Sequence, residues 1–405
     1  MASNLTACIK AEKDKRVVLI TEIIAPYRIP LFNRMAKHYA NFTVLFLRKS
    51  NYQREWRVEQ NNIAFDYHVL PGGYIPTKYG SPFYINRGVK KALAALKPDV
   101  IICGGYNHTA FLSAVLYAKM RNVEHILWVE STLQDNRIKS GLKSYFKKTL
   151  IKQADRFVVP GTASQTYLTS FDVPERLIWV APNSIDNHHF STVAAQEFSD
   201  SASVETVMVC VSRLVEHKGV MDLLQAIYRL QNHKIKLHII GSGPDAVLLK
   251  AFIDMHQMKN VTLHGFLQQD ELPRVLGRAD IFVLPTRSDP WGLVVNEAMS
   301  TGLPVIVSDK AGCEKDMVID GYNGFRFKAG NIESLMQAIQ RYVESSAEQK
   351  MKFKAHALEH IVFFVPEVTA QGFEEVVYKR PNKVWHVFNH HRKTLTLDVG
   401  HESCD

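Results

Sequence analysis

Two carboxylates eight positions apart, Asp289 and Glu297, lie in the most chemically loaded stretch of the chain, residues 285–309 (PTRSDPWGLVVNEAMSTGLPVIVSD). Ahead of it, residues 281–284 are a short apolar run ended by Pro285, the pattern of a buried strand opening into a loop. Residues 294–300 then have helical spacing until Gly302-Leu303-Pro304 stops it, and 304–308 is the next buried run. Such a strand, loop, helix, strand unit places the loop and the helix N-terminus at the carboxyl end of a parallel sheet, where open α/β folds bind ligands. Asp289 precedes the helix and Glu297 lies inside it, so a single small ligand can meet both. Between them Gly292 lets the backbone approach a phosphate, with the N–H groups around Leu293 and Val294 aimed at it.

A second cluster complements the first in charge. Residues 207–211 read as a strand, Arg213 leaves it, and Lys218 stands at the start of a helix running to residue 230. Two cations, free backbone donors and the positive end of a helix dipole converge there, which is by physics a diphosphate site. Residues 237–240 end in Gly241-Ser242-Gly243-Pro244, a glycine turn after one strand and before another helix. No Asp-x-Asp pair occurs in the chain, so no divalent metal bridging a diphosphate is expected.

In this order the segments resemble the retaining glycosyltransferases of family 4, also called glycosyl transferases group 1. Trp291-Gly292-Leu293 match the family's aromatic-Gly-Leu turn, residues 297–305 (EAMSTGLPV) its following run, and Ser212-Arg213 through Lys218-Gly219 its Arg/Lys segment. The resemblance implies an α/β chain of the GT-B type, two Rossmann-like doubly wound domains facing across a cleft. It implies transfer of a sugar from a nucleotide-diphosphate sugar to an acceptor hydroxyl, with retention at the anomeric carbon and no further cofactor. Arg213 and Lys218 would hold the diphosphate, aided by the backbone of Gly292, Leu293 and Val294. Gly241 and Gly243 would line the donor loop, the backbone of Gly265 and Phe266 would meet the base, Glu297 the ribose hydroxyls, and Asp289 a donor sugar hydroxyl.

Three departures accompany the match. Asp289 stands where Glu is usual, keeping the charge and shortening the reach by one methylene. After the first strand, Ala25-Pro26-Tyr27-Arg28-Ile29-Pro30 replaces the usual Gly-Gly turn, as in the bacterial branch that handles surface polysaccharides. Where family members carry a His after the strand at 125–129, this chain has Glu130 and Ser131, and Glu130 becomes the catalytic candidate. Arg28, at the acceptor edge of the cleft, is placed either to hold a phosphate or merely to start a helix.

Length and composition agree with this outline. The 405 residues suit two domains of about 200 residues. No apolar run of 18 residues is present, and residues 10–16 interrupt any leader-like run with charge, so a cytosolic protein is expected. Five scattered cysteines suggest neither a disulfide framework nor a zinc site. Residues 1–185 carry 26 Lys and Arg against 13 Asp and Glu, and the remainder 23 against 27. The basic half favours an anionic partner: a saccharide or lipid-linked acceptor bearing phosphate, or an anionic membrane surface on which the protein rests peripherally. A nucleic-acid partner is not expected, and a generally lysine-rich surface is the plainer alternative.

The chain order places the pieces. Residues 1–187 are the acceptor domain, with strand and helix alternating from residue 17. Its aromatic-rich residues 50–91 suit either sugar stacking or packing on the core, and its basic amphipathic segment 139–154 either an anionic bilayer or simple sheet cover. Polar and small residues mark 188–204 as a linker, 205–362 as the nucleotide domain, 363–380 as a helix crossing back, and 381–405 as an irregular tail. The tail's His386, His390, His391 and His401 lack the regular structure a metal site needs. Two other functional classes fit less of the pattern: a nucleotide-sugar epimerase of the same fold, and a non-catalytic sugar-nucleotide or membrane-surface binding protein.

Overall fold

The computed structural model describes residues 15–50, 56–77, 82–134, 142–196 and 205–402. The first half contains β1 (Arg16–Ile23), β2 (Asn41–Arg48), β3 (Asp66–Val69), the separate antiparallel hairpin β4 (Gly72–Ile75) and β5 (Phe83–Asn86), then β6 (Val100–Cys103), β7 (Glu124–Trp128), β8 (Arg156–Val159) and β9 (Ile178–Val180). The second half contains β10 (Thr206–Val211), β11 (Ile235–Ile240), β12 (Val261–Gly265), β13 (Ile281–Leu284), β14 (Val305–Ser308) and β15 (Gly324–Phe327). These make two parallel sheets, ordered β3-β2-β1-β6-β7-β8-β9 and β12-β11-β10-β13-β14-β15. Strands β6, β8, β13 and β14 are buried at every position, as parallel strands covered on both faces require.

Each sheet carries an apolar core on both faces. In each, strand order reverses once, between β1 and β6 and between β10 and β13. Loops leaving such neighbours diverge to opposite faces, so a crevice opens at the carboxyl ends, and both candidate clusters lie there. The α/β class and the GT-B arrangement of two Rossmann-like halves are thus observed.

Three segments differ from the sequence reading. Much of the expected linker is the helix Asn187–Ala195, whose Phe190 and Ala194 are buried against the helices Leu272–Gly277 and Leu293–Ser300. Only two apolar positions drive it, with Asp186 Oδ1 accepting from the His189 N–H at its start; residues 197–204 lie outside the described residues. The expected irregular tail is the helix Lys383–Glu402, anchored by the fully buried Phe388 in the second domain's core, with Trp385 packed against it. Its later turns are mostly polar, with Leu395, Leu397 and Val399 at alternate positions, so its helical periodicity fades from the sequence although the helix does not. The basic segment forms a helix over Leu142–Ile151, where Lys147 sits over the rings of Tyr106, Tyr167 and Phe171 and Lys148 pairs with Asp172. Those two lysines are engaged with the protein itself.

The helix Pro366–Val377 packs on Ile29–Met35 and on β8 and β9, placing Ala370, Phe373, Val376 and Val377 in the first domain's core. The last two helices therefore tie the halves together. Among the described residues no helix is long and apolar enough to cross a membrane.

Candidate active site

The donor side is built from the loops after β10 and β13. Each ends in a glycine with left-handed backbone, Gly219 (φ +68°) and Gly292 (φ +96°), that starts a helix directly: Val220–Leu230 and Leu293–Ser300. The loops touch: the Arg287 N–H donates to the His217 carbonyl at 2.8 Å, and a Cβ on Gly219 would stand 2.1 Å from the Pro285 oxygen. Arg287 holds this arrangement with two bonds to the buried Asp222, at 2.9 and 2.6 Å. Two helix N-termini thus meet at the switch point of the second sheet, each presenting N–H groups that its helix leaves without intrahelical partners.

Lys218 and Asp289 come together here, Nζ to Oδ2 at 2.5 Å, both with little exposure. The other oxygen of Asp289 accepts from the Trp291 N–H at 3.2 Å. The lysine assigned to the diphosphate and the carboxylate assigned to the sugar are therefore one ion pair, which the sequence reading did not foresee. Arg213 lies exposed on the same loop as Lys218.

Glu297 lies one turn into the Leu293–Ser300 helix and has no hydrogen bond or ion pair among the described residues. Its side chain keeps some contact with solvent, while its carboxyl is surrounded by protein, and burial pushes its pKa up to about 8. An unpartnered carboxylate in such surroundings is costly, and hydroxyl donors from a ligand would relieve it.

Gly241 and Gly243 serve a different immediate purpose from the one expected. A Cβ on either would strike the carbonyl oxygen of Ser212 (1.8 Å) or Leu214 (2.2 Å), so both let the β11 loop cross the β10 loop closely. The Gly241 N–H donates to the Gly265 carbonyl at 2.7 Å, which aligns the loops after β10, β11 and β12 along one edge, with Phe266 partly exposed beyond.

On the acceptor side Arg28 is buried and pairs with Glu130, with its guanidinium 4.2 Å from the Trp128 ring centre and Nη1 3.1 Å from Asn183 Oδ1. It is a fixed structural cation more than an open phosphate hook. Glu130 stays partly exposed at the carboxyl end of β7. His125, at the other end of that strand, is buried away from the cleft.

Sequence reasoning missed the residues that join the two sides. The Asn183 carbonyl accepts from Asn296 Nδ2 at 2.9 Å, and Asn296 Oδ1 accepts from Trp291 Nε1 at 2.9 Å. Arg28, Asn183, Asn296 and Trp291 thus form one buried polar chain from the acceptor loop to the donor helix. Nearby, Asp316 of the second domain accepts from the N–H and hydroxyl of Thr162 at the start of the first domain's Thr162–Thr169 helix. Burial pushes Asp316 up to about 6 despite those bonds and Arg392. A buried Asn in an otherwise apolar helix run was the one available signal, since Asn is a poor helix former.

Comparison with known proteins now bears on this geometry. Residues 194–360 match the family described as glycosyl transferases group 1, and residues 31–189 match glycosyltransferase family 4. The chain belongs to these glycosyltransferases. It is 30% identical over 180 residues to an uncharacterized glycosyltransferase of Methanocaldococcus jannaschii, covering 42% of this chain and 46% of that protein. It is 28% identical over 159 residues to a lipopolysaccharide core biosynthesis glycosyltransferase of Rhizobium meliloti, covering 39% and 45%. The match spans less than half of either relative. In fold, this glycosyltransferase resembles HepE of Anabaena, solved in complex with UDP and glucose, with a TM-score of 0.69 at 17% identity over 90% of this chain and 99% of that one. Among the described residues no three His, Cys, Asp or Glu side chains gather to hold a metal ion.

Proposed function

We propose that the chain transfers a sugar from a nucleotide-diphosphate sugar to an acceptor hydroxyl, with retention at the anomeric carbon. The observation that carries the reading is Glu297: a carboxylate without a partner among the described residues, beside two helix N-termini and the Lys218–Asp289 pair. A nucleotide diphosphate answers each of these features. Its ribose hydroxyls donate to Glu297, and its phosphates take the helix N–H groups, Lys218 and Arg213. The solved complex of HepE with UDP and glucose, in a similar fold, supports this class of donor.

In the reaction the bond between the anomeric carbon and the diphosphate breaks, and its electron pair leaves with the diphosphate. The acceptor oxygen bonds to the same face of the sugar and gives its proton to the departing diphosphate oxygen. Charge develops on the leaving group, so cations and N–H groups already in place at that point lower the barrier. Binding of the phosphates draws Lys218 toward them and frees Asp289 to accept from a sugar hydroxyl. Glu130, paired with Arg28 on the acceptor side, is the group we assign to the transferred sugar's acceptor-facing side. The chemistry needs no bridging metal, since Lys218, Arg213 and two helix ends supply positive charge.

The similarity to a lipopolysaccharide core enzyme supports a saccharide or lipid-linked acceptor in bacterial surface polysaccharide or glycolipid synthesis. The basic first half supports peripheral contact with an anionic membrane carrying such an acceptor, through surfaces other than the engaged Lys147 and Lys148.

Asp289 substitutions test the assignment. Asp289→Glu should keep at least a third of the parent's turnover, because a carboxylate still reaches Lys218 and the sugar. Asp289→Asn should lose roughly 100-fold, the cost of about 3 kcal/mol for a charged acceptor held in place. Turnover in Asp289→Asn equal to the parent's would reduce Asp289 to a loop-packing residue.

A further inference from the structure

The amino ends of β7 and β8, at the opposite end of the first sheet from the cleft, border a cavity of about 790 Å³ that the proposed activity does not use. Arg156 lines it at 4% exposure, and its Nε, Nη1 and Nη2 donate no hydrogen bond among the described residues. Its charged partner is Glu124, with Oε2 2.7 Å from Nη2, and Glu124 is shared with Lys379 at 2.5 Å and Lys15 at 3.5 Å. Three cations therefore surround one carboxylate. The nearby Asp155 is occupied, accepting from the His125 N–H at 2.8 Å, and Lys119 lines the same wall with Gln153 as its partner.

A guanidinium carries five N–H donors in a fixed fork; Glu124 stands beside Nη2, and leaving the buried donors of Nε and Nη1 unsatisfied among the described residues is unfavourable. What would satisfy this fork is an anion with several oxygens at tetrahedral spacing, since Arg recognises phosphate through paired bonds and Lys adds a point charge. The wall also contains Trp179, whose Nε1 is taken by the Arg380 carbonyl at 2.8 Å, leaving its ring as a flat apolar surface. The volume lies in the range of small-molecule sites. His125 is buried, which pushes that group down to about 4, so it adds a neutral polar edge at pH 7.

We propose that this cavity binds a small organic phosphate, with Arg156 and Lys379 on the phosphate and Trp179 against its sugar or ring. Its position gives such binding a consequence. Lys379 stands two residues past the Pro366–Val377 helix that packs the second domain's chain onto the first sheet, in a left-handed conformation (φ +56°). Lys15 also reaches that helix end, donating to the Val377 carbonyl at 3.0 Å. A bound phosphate ties the end of the bridging helix to the sheet, so the site is regulatory in character and separate from the donor cleft.

The test is calorimetric titration of the full chain with glucose 6-phosphate, inorganic phosphate and citrate at constant ionic strength, with UDP present throughout. Saturable 1:1 binding of glucose 6-phosphate is expected, weakened at least tenfold in both Arg156→Gln and Lys379→Ala, with the response to UDP alone unchanged. Lys379, its side chain 64% exposed, can be replaced without disturbing the core, so a misfolded Arg156→Gln leaves the test intact. Absent saturation, or equal affinity in Lys379→Ala, overturns the proposal. Citrate binding as tightly as the ester overturns the phosphate assignment, and inorganic phosphate binding as tightly overturns the part given to Trp179.

Discussion

Glu297→Gln should weaken nucleotide binding roughly 100-fold and, at the same time, stabilise the empty protein at pH 8. The first effect follows from replacing a charged acceptor of two ribose hydroxyls by a neutral one, with charged hydrogen bonds contributing about 1.5–3 kcal/mol each. The second follows from linkage. Burial raises the folded pKa of Glu297 to about 8, above its ordinary value of 4.5. The folded state therefore holds a proton that the unfolded state has released, and stability falls as pH rises from the unfolded value through about 8. Gln removes that loss. The gain should vanish near pH 4 and reach on the order of 2 kcal/mol above pH 8, discounted for the partial exposure of the side chain. Melting curves at pH 4.5 and 8.5, with and without UDP, read both effects. A pH-independent difference, or an undiminished response to UDP in the variant, would sink the role given to Glu297. Proton release on UDP binding between pH 6 and 8 is the corollary, because hydroxyl donors draw the carboxyl back toward its ionised form.

Lys218→Ala and Arg213→Ala should each lower kcat by roughly 100- to 1000-fold, the range for losing one group that stabilises developing charge. The two differ in a useful way. Lys218 is paired with Asp289 in a nearly closed setting, so its removal also strands a carboxylate and costs about 1–3 kcal/mol of stability. Arg213 is exposed, and its removal should leave the melting temperature within about 2 °C, as surface substitutions do. Lys218→Arg should recover part of the loss, since it restores the charge beside Asp289. Turnover must also survive a chelator, because the account gives the leaving group's charge to side chains and helix ends. Full activity in both alanine variants, or complete loss in chelator, would contradict this assignment.

Much of the site was readable because its logic is local. A buried strand, a glycine at a helix start and a cation or carboxylate within a few positions are adjacent in sequence, so β10 with Arg213 and Lys218, and β13 with Asp289, Gly292 and Glu297, could be placed from spacing alone. What was hidden depends on partners far apart in the chain. The Lys218–Asp289 pair spans 71 positions and the Asn296–Asn183 bond 113, and neither leaves a local trace. The spacing around Arg28 suits a phosphate contact or a helix start alike, and gives no sign that Glu130 and Asn183 close on it. The basic segment 139–154 suits a bilayer contact or sheet cover alike, because its spacing cannot show that three rings from outside the helix lie under the Lys147 ammonium. The helices Asn187–Ala195 and Lys383–Glu402 escaped notice because each is anchored by few apolar residues whose partners lie elsewhere. Gly241 and Gly243 were noticed as a glycine turn, yet the backbone they accommodate belongs to another strand's loop.

The central claim is that the crevice between β10 and β13 binds a nucleotide-diphosphate sugar. It is tested most directly by the melting temperature of the full chain against a panel of nucleotide-diphosphate sugars and their free nucleotides. At 100 times its dissociation constant a true ligand stabilises by about 2.7 kcal/mol. The account predicts that at least one donor produces a shift of that order and that Glu297→Gln and Lys218→Ala each abolish it. A panel with no shift, or a shift that both variants retain in full, would contradict it.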